Sequence, residues 1–147
     1  MNGLGTRPIR LLLVDGQPAV RRELRMRLAL EPDLKAVDET GSATGAISLA
    51  GILRPDVVLM DVEMQDTDGI ATPETLHAVA PGSAVVILTL RDDAATRARA
   101  LVAGAAAFVA KHQVEETLLT AIRRVAIAQG KQRRHGRMIG RLEGSGA

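Results

Sequence analysis

Four short, continuous apolar runs recur along the chain and limit its fold more than any other feature. They are Arg10–Val14, Asp56–Met60, Ala84–Leu88 and Ala106–Val109. A strand that is buried on both faces has no solvent-facing positions, so its sequence shows an unbroken apolar run rather than alternation. Such strands belong to parallel sheets that are covered by helices. The sequence therefore predicts four buried parallel strands, with a weaker fifth candidate at Leu34–Glu39.

Segments with helical spacing separate these runs. The predicted helices are Pro18–Leu30, Ala43–Leu53, a weaker one at Ile70–Val79 that Pro73 interrupts, Asp93–Ala103 and Val114–Gln129. The last residue before Gly104 is a plausible helix end, because glycine readily adopts the left-handed conformation that closes many helices. Strand and helix thus alternate five times. This alternation predicts an α/β fold with a doubly wound, five-stranded parallel sheet of (βα)5 type.

Composition excludes several classes of protein. The chain has 147 residues, 46% of them hydrophobic, which suits a single domain with a substantial core. It has no cysteine, so a disulfide scaffold, a zinc finger and a thiol nucleophile are all excluded. Phe108 is the one aromatic residue, which argues against recognition of single-stranded nucleic acid by base stacking.

The net charge of +2 hides two parts of opposite sign. Residues 1–122 carry 12 basic and 16 acidic side chains, whereas residues 123–147 carry seven basic side chains and one acidic one. The acidic part contains all the predicted strands. We predict one domain over residues 8–128, followed at residues 129–147 by a basic, glycine-rich tail or linker that is flexible.

Polar side chains stand where four of the predicted strands end. Asp15 follows the first strand and Asp61 follows the third. Thr89 ends the fourth strand and Lys111 ends the fifth. Ligands of doubly wound sheets bind at this edge. An ionised Asp61 could attack phosphorus without a general base, and Lys111 could neutralise charge on the phosphoryl oxygens. Asp15 is a candidate Mg²⁺ ligand, and Thr89 a candidate hydrogen-bond donor to a phosphoryl oxygen.

Four stretches together resemble the receiver domains of two-component response regulators. They are LLLVDGQPAVRRELRMRL, RPDVVLMDVEMQDTDGI, VVILT and GAAAFVAKH. The resemblance is closest to receivers of LuxR-type (NarL/FixJ-like) regulators, and it implies the flavodoxin-like or CheY-like three-layer sandwich. It also implies that Asp61 is the phospho-acceptor and Lys111 the family's amine. Thr89 and Phe108 would form the switch pair, in which the aromatic rotamer follows the hydroxyl.

The chain departs from the pattern of this family beside the first strand. Gly16 stands where the family has a second acid that binds the metal ion directly. We therefore expect weakened Mg²⁺ binding by Asp15 and Asp61, with Glu63 contributing its carbonyl or its side chain. Leu90 occupies a position where the family prefers a small residue, so we expect it to narrow the access to the phosphorylation site.

The resemblance implies a signalling domain rather than an enzyme. Its expected partners are a histidine kinase or a phosphotransfer protein, a downstream protein, and in some cases a second copy of the chain. No apolar run approaches the ~18 residues that a membrane span needs. The first ten residues lack the apolar segment of a signal peptide. We therefore expect a cytoplasmic protein without a membrane partner.

Two other functions stay open at this point. The loss of the metal-binding acid at Gly16 would also fit a pseudo-receiver, which is an interaction module that works without phosphorylation. The basic tail would also fit a nucleic-acid-binding protein, through a nonspecific electrostatic attraction that we expect to be weak or indirect.

Overall fold

A parallel β-sheet forms the centre of the protein. A computed structural model of the chain describes residues 7–62, 72–91, 93–111 and 116–130. The strands in these residues are β1 (Ile9–Val14), β2 (Leu34–Thr40), β3 (Val57–Met60), β4 (Ala84–Thr89) and β5 (Ala107–Ala110). Their order across the sheet is β2-β1-β3-β4-β5, and all four pairings are parallel. The weak candidate at Leu34–Glu39 is therefore the edge strand β2.

Helices cover both faces of the sheet. The described helices are α1 (Pro18–Leu28), α2 (Ala43–Leu53), α3 (Thr72–Val79), α4 (Ala94–Val102) and α5, which includes residues 116–130. Pro73 lies in the first described turn of α3 and does not interrupt the part of the helix that is described. The predicted α/β fold, a five-stranded (βα)5 sandwich of CheY-like type, is confirmed.

Each buried strand contributes side chains to two separate apolar layers. Leu11 and Leu13 of β1 lie in a layer with apolar residues of α1 and α5. Leu12 and Val14 lie in the opposite layer, with residues of α2, α3 and α4. Because both faces of the strand are covered in this way, none of these four positions tolerates a solvated polar side chain. This explains why the strands appear in the sequence as unbroken apolar runs.

Helix α1 ends two residues earlier than predicted. Its last residue is Leu28 rather than Leu30. The amides of Leu30 and Glu31 donate to carbonyls only three residues back, at 3.3 and 3.0 Å, so the chain tightens into a turn. Pro32 favours this ending, because the proline ring disfavours the helical conformation of the residue before it.

Gly104 closes helix α4 as the sequence predicts. Its φ angle is +108°, in the left-handed region that glycine adopts at little cost. The amide of Gly104 donates to the carbonyl of Leu101 at 3.1 Å, and the amide of Ala105 donates to that of Ala100 at 3.0 Å. These two bonds form a Schellman motif, which satisfies the last carbonyls of the helix and turns the chain into β5.

Helix α5 extends past the predicted domain boundary at residue 128. Gln129 and Gly130 are its last described residues, and the side chain of Gln129 donates to the carbonyl of Pro81 at 3.0 Å. The rest of the predicted tail, residues 131–147, lies outside the described residues. None of the described helices combines the length and the apolar character that crossing a membrane requires.

Arg123 joins α5 to the turn that follows α1. Its guanidinium donates to both carboxylate oxygens of Asp33, at 2.8 and 2.9 Å, and to Glu31 at 2.7 Å. The hydrogen bond from Arg123 lowers the pKa of Asp33, and the same bond raises the pKa of Arg123. The charged forms of both groups are therefore favoured in the folded protein.

We expect Arg123→Met to lower the free energy of unfolding by about 1 kcal/mol at pH 7, the upper end for an exposed pair. The pKa of Asp33 is lowered on folding, so this contribution is present above about pH 4 and is lost as the pH falls through the folded value. Urea unfolding at pH 7 and in acid measures both effects. The neighbouring exposed Arg124→Met is the control, and equal losses in the two variants would contradict the assignment.

Candidate functional site

Two aspartates lie side by side where the strand order of the sheet reverses. Asp15 follows β1 and Asp61 follows β3, and the last residues of these strands, Val14 and Met60, are paired. The chain runs outward from β1 to β2 and then returns to the other side of β1 with β3. In doubly wound sheets of this order, the reversal opens a crevice at the carboxyl ends of the strands, where ligands bind.

Lys111 joins the two aspartates. Its Nζ atom donates to Oδ2 of Asp15 at 2.8 Å and to Oδ2 of Asp61 at 3.1 Å. The side chain of Lys111 is 14% exposed, that of Asp15 is 4% exposed and that of Asp61 is 12% exposed, so the contacts are largely shielded from water. Burial lowers the pKa of Lys111, but the hydrogen bonds and charges of the two aspartates outweigh burial and raise the pKa overall. Lys111 therefore stays an ammonium ion, and the formal charge of the three groups is −1.

The pocket beside these residues has a volume of about 190 Å³. Its wall is formed by Asp15, Gly16, Gln17, Gly41, Asp61, Leu90 and Lys111. Leu90 lies on this wall and is 69% exposed, so its apolar side chain borders the opening. Leu90 therefore lies beside Asp61 on the pocket wall, and its narrowing of access to Asp61 stays a prediction.

Thr89 is fully buried at the end of β4. It pairs with Ala110, the residue before Lys111, and its Oγ1 accepts a hydrogen bond from the amide of Arg91 at 3.1 Å. The pocket wall does not include Thr89. Thr89 therefore precedes the pocket residue Leu90 in the chain but does not line the pocket itself, and its hydroxyl is bonded to the local backbone.

Phe108 lies on β5, away from the pocket. It is half-buried, it packs against the layer that holds α2, α3 and α4, and it pairs with Ile87 of β4. The guanidinium carbon of Arg97 lies 4.6 Å from the centre of the ring. This is the geometry of a cation–π contact. The ring is thus covered by a side chain from α4 in this structure.

Sequence reasoning gave Arg21 no role, but the structure connects it to the site. Its Nη1 atom donates to the backbone carbonyl of Asp15 at 2.6 Å, and its Nε atom donates to Glu39 at 3.1 Å. Arg21 lies near the start of α1, where a positive charge opposes the helix dipole. That unfavourable placement is the signal that could have identified it as a residue with a specific partner.

The described donor set suits a hydrated Mg²⁺ ion. Asp15 and Asp61 offer two carboxylates beside an open pocket, and Mg²⁺ is often held by one or two carboxylates while it keeps several waters. Gly16 adds no ligand. Glu63, the third predicted ligand, lies outside the described residues. In the part of the chain that is described, no group of three acidic, histidine or cysteine side chains is arranged to hold a metal ion.

Comparison with known proteins identifies the family. The family model of the response regulator receiver domain matches residues 11–123. The chain belongs to this family. This match covers most of the chain. It includes Asp15, Asp61 and Lys111, and Lys111 contacts both aspartates beside the pocket. The chain is therefore a receiver domain of two-component signal transduction, as the sequence predicted.

The receiver domain is similar to curated proteins and to solved structures. It is 34% identical over 116 residues to the nitrate/nitrite response regulator protein NarP of Escherichia coli, covering 79% of this chain and 54% of NarP. The response regulator domain of Thermotoga maritima CheB is 30% identical, with a TM-score of 0.76 and coverage of 82% of this chain and 97% of that domain.

A two-component response regulator of the LuxR family from Aurantimonas is also similar. It is 27% identical, with a TM-score of 0.78, and the match covers 82% of this chain and 86% of that structure. The predicted resemblance to receivers of LuxR-type regulators is thus confirmed. The receiver domain spans about half the length of the curated relatives it matches.

Proposed function

We propose that Asp61 accepts a phosphoryl group from a phosphohistidine of a kinase or phosphotransfer protein. The observation that carries this proposal is the contact of Lys111 with both Asp15 and Asp61 beside an open pocket. An oxygen of Asp61 forms a bond to phosphorus as the phosphorus–nitrogen bond of the donor breaks. The imidazole nitrogen keeps the electron pair and takes up a proton from water.

The negative charge of the pocket means that phosphoryl transfer needs additional positive charge. Asp15, Asp61 and Lys111 together carry −1, so they repel an incoming phosphoryl group. Lys111 lies close enough to Asp61 to contact the transferred group and to neutralise part of its charge. Mg²⁺ bound at Asp15 and Asp61, with Glu63, would supply the remaining positive charge. Lys111 alone does not offset the charges of both carboxylates, so we expect the phosphoryl transfer to depend on a divalent ion.

Thr89 and Phe108 are the proposed route from the site to the surface. The hydroxyl of Thr89 donates a hydrogen bond to a phosphoryl oxygen on Asp61. A shift of Thr89 toward that oxygen opens space near β5. Phe108 then leaves its contact with Arg97 and rotates into that space. The surface of α4, β5 and α5 changes as a result. A downstream protein or a second copy of the chain reads this change.

The proposed transfer also indicates the activity, the location and the nucleic-acid contacts that we expect of the domain. The domain is the recipient of a phosphoryl group and a switch, and we assign it no enzymatic activity of its own. Phosphohistidine donors of two-component systems point to the cytoplasm as its location. Any contact with nucleic acid is indirect, or weak and through the basic tail at residues 129–147.

Incubation with acetyl phosphate and Mg²⁺ tests the proposal. We expect intact-mass measurement to show the addition of one phosphoryl group, and we expect Asp61→Asn to abolish it completely, because the amide is not a nucleophile toward phosphorus. Circular dichroism of the variant controls for folding. If no adduct forms with any divalent ion or phosphodonor, the domain is instead a phosphorylation-independent interaction module.

A further inference from the structure

The side chain of Arg21 connects three elements behind the pocket. It starts on α1, donates to the carbonyl of Asp15 at the end of β1, and donates to Glu39 on β2. It is only 16% exposed, and Glu39 is 30% exposed. A guanidinium with several fixed donors holds such partners in a defined geometry. Arg21 therefore fixes the start of α1 against the end of β1.

Asp15 is held at every polar group by a separate partner. Its amide donates to the carbonyl of Thr40 at 3.2 Å, and its carbonyl accepts from Arg21 at 2.6 Å. Its Oδ1 accepts from the amide of Gln17 at 2.9 Å, and its Oδ2 accepts from Lys111 at 2.8 Å. Arg21 is the charged partner that does not itself lie on the pocket wall.

Gly41 shows how close Arg21 lies to the pocket. Gly41 is part of the pocket wall, and a Cβ atom added there would lie 3.1 Å from Nη1 of Arg21. The guanidinium thus lies directly behind this part of the wall. Loss of the guanidinium would free the carbonyl of Asp15 and leave open space beside Gly41.

From these contacts we infer that Arg21 is a positioning residue for phosphorylation of Asp61. It acts through Asp15, whose carboxylate it keeps aligned with Asp61 and Lys111. The role matters more in this chain than it would beside a second acid, because Gly16 leaves Asp15 as the one carboxylate at the end of β1. This inference rests on the proposed function of Asp61.

Arg25 provides a matched control for Arg21. Its Nε atom donates to the other oxygen of the same Glu39, at 2.5 Å, and it makes no contact with Asp15 in the described residues. Removal of either arginine therefore leaves Glu39 with one partner. Only the removal of Arg21 releases the carbonyl of Asp15.

We expect Arg21→Met to slow phosphorylation by acetyl phosphate about tenfold and to weaken Mg²⁺ binding about tenfold, the usual effect of losing a group that orients a ligand. Calorimetric titration measures the Mg²⁺ affinity. Arg25→Met should leave the phosphorylation rate and the Mg²⁺ affinity close to those of the unchanged protein. Its melting temperature should fall less than that of Arg21→Met, because Arg25 is more exposed and donates to Glu39 alone. Arg21→Lys should recover part of the loss, since it keeps a positively charged donor on the same face of α1.

Amide NMR without Mg²⁺ or phosphodonor tests the positioning role separately. The amide of Gln17 reports the orientation of the Asp15 carboxylate, so Arg21→Met should shift its resonance and speed its hydrogen exchange, whereas Arg25→Met should not. An unchanged Gln17 amide together with Mg²⁺ binding equal to that of Arg25→Met would overturn the inference. If the unchanged protein takes up no phosphoryl group, the proposed function fails. The Gln17 amide and the Mg²⁺ titration would then still show whether Arg21 positions Asp15.

Discussion

Replacement of Gly16 with aspartate should tighten Mg²⁺ binding by about tenfold or more, since affinity for such ions rises with the number of charged oxygen ligands. The structure has room for this side chain. A Cβ atom at Gly16 would meet only the carbonyl oxygen of Gly41, at 3.9 Å, and the φ angle of Gly16 lies outside the left-handed region. The added carboxylate would lie on the pocket wall beside Asp15. Phosphorylation at low Mg²⁺ should therefore become faster.

Gly16→Asn is the matched control for this change, because it adds nearly the same shape without the charge. Calorimetric titration with Mg²⁺ and phosphorylation rates over a range of Mg²⁺ concentrations measure the two effects. In the absence of metal, Gly16→Asp should melt at a lower temperature than Gly16→Asn, because it adds a third carboxylate to a site with net charge −1. Equal Mg²⁺ affinities in the two variants would contradict the proposed metal position.

Lys111→Met should reduce phosphorylation of Asp61 by about 10²- to 10³-fold, the usual loss when one charge-stabilising donor is removed. Methionine has an unbranched apolar side chain of similar shape to the stem of lysine but lacks the ammonium ion. Asp15 and Asp61 would then face each other without the cation that bonds to both. We expect the free energy of unfolding to fall by about 2 kcal/mol at pH 7, since removal of one partner leaves partly buried charges uncompensated.

The loss of stability in Lys111→Met should become smaller as the pH rises. The pKa of Lys111 is raised in the folded protein, because the bonds to Asp15 and Asp61 outweigh the effect of burial. Its contribution to stability is therefore complete below the unfolded pKa, about 10.4, and is lost as the pH rises through the higher folded value. The chain has only three lysines and no tyrosine or cysteine, so few other groups titrate in this range.

Urea unfolding at pH 7 and at strongly alkaline pH should show the difference between Lys111→Met and the unchanged protein shrink as the pH rises. Lys35→Met, at an exposed position of β2, is the control. A difference that stays constant over the whole pH range would mean that Lys111 stabilises the fold by packing rather than by its charge.

The apolar runs were sufficient to predict the sheet, because strands covered on both faces leave a continuous signal in the sequence. The edge strand β2 gave a weaker signal, since most of its residues are only partly buried. The sequence predicts the end of α1 two residues too late, because Pro32 disfavours a helical Glu31 but does not determine where the preceding turn begins. Asp93 lies at the start of α4, as the sequence predicts, and accepts a hydrogen bond from the amide of Thr96.

The candidate site was predictable where its residues follow strands. Asp15, Asp61 and Lys111 converge because parallel strands end at one edge of the sheet, so their positions could be inferred before any distance was known. The contact of Arg21 with Asp15 could not be inferred in the same way. It depends on how α1 packs beside β1 and β2, and only the folded structure brings Glu39 to the same guanidinium.

We expect Asp61, and no other carboxylate, to carry the phosphoryl group. An acyl phosphate is reduced by borohydride to the corresponding alcohol, so phosphorylation followed by reduction converts the modified aspartate to homoserine. Peptide mass spectrometry then locates the converted residue. We predict homoserine at position 61 alone, and only after treatment with both phosphodonor and Mg²⁺. Homoserine at position 15, or an adduct that leaves Asp61 unreduced, would contradict the assignment of Asp61 as the phospho-acceptor.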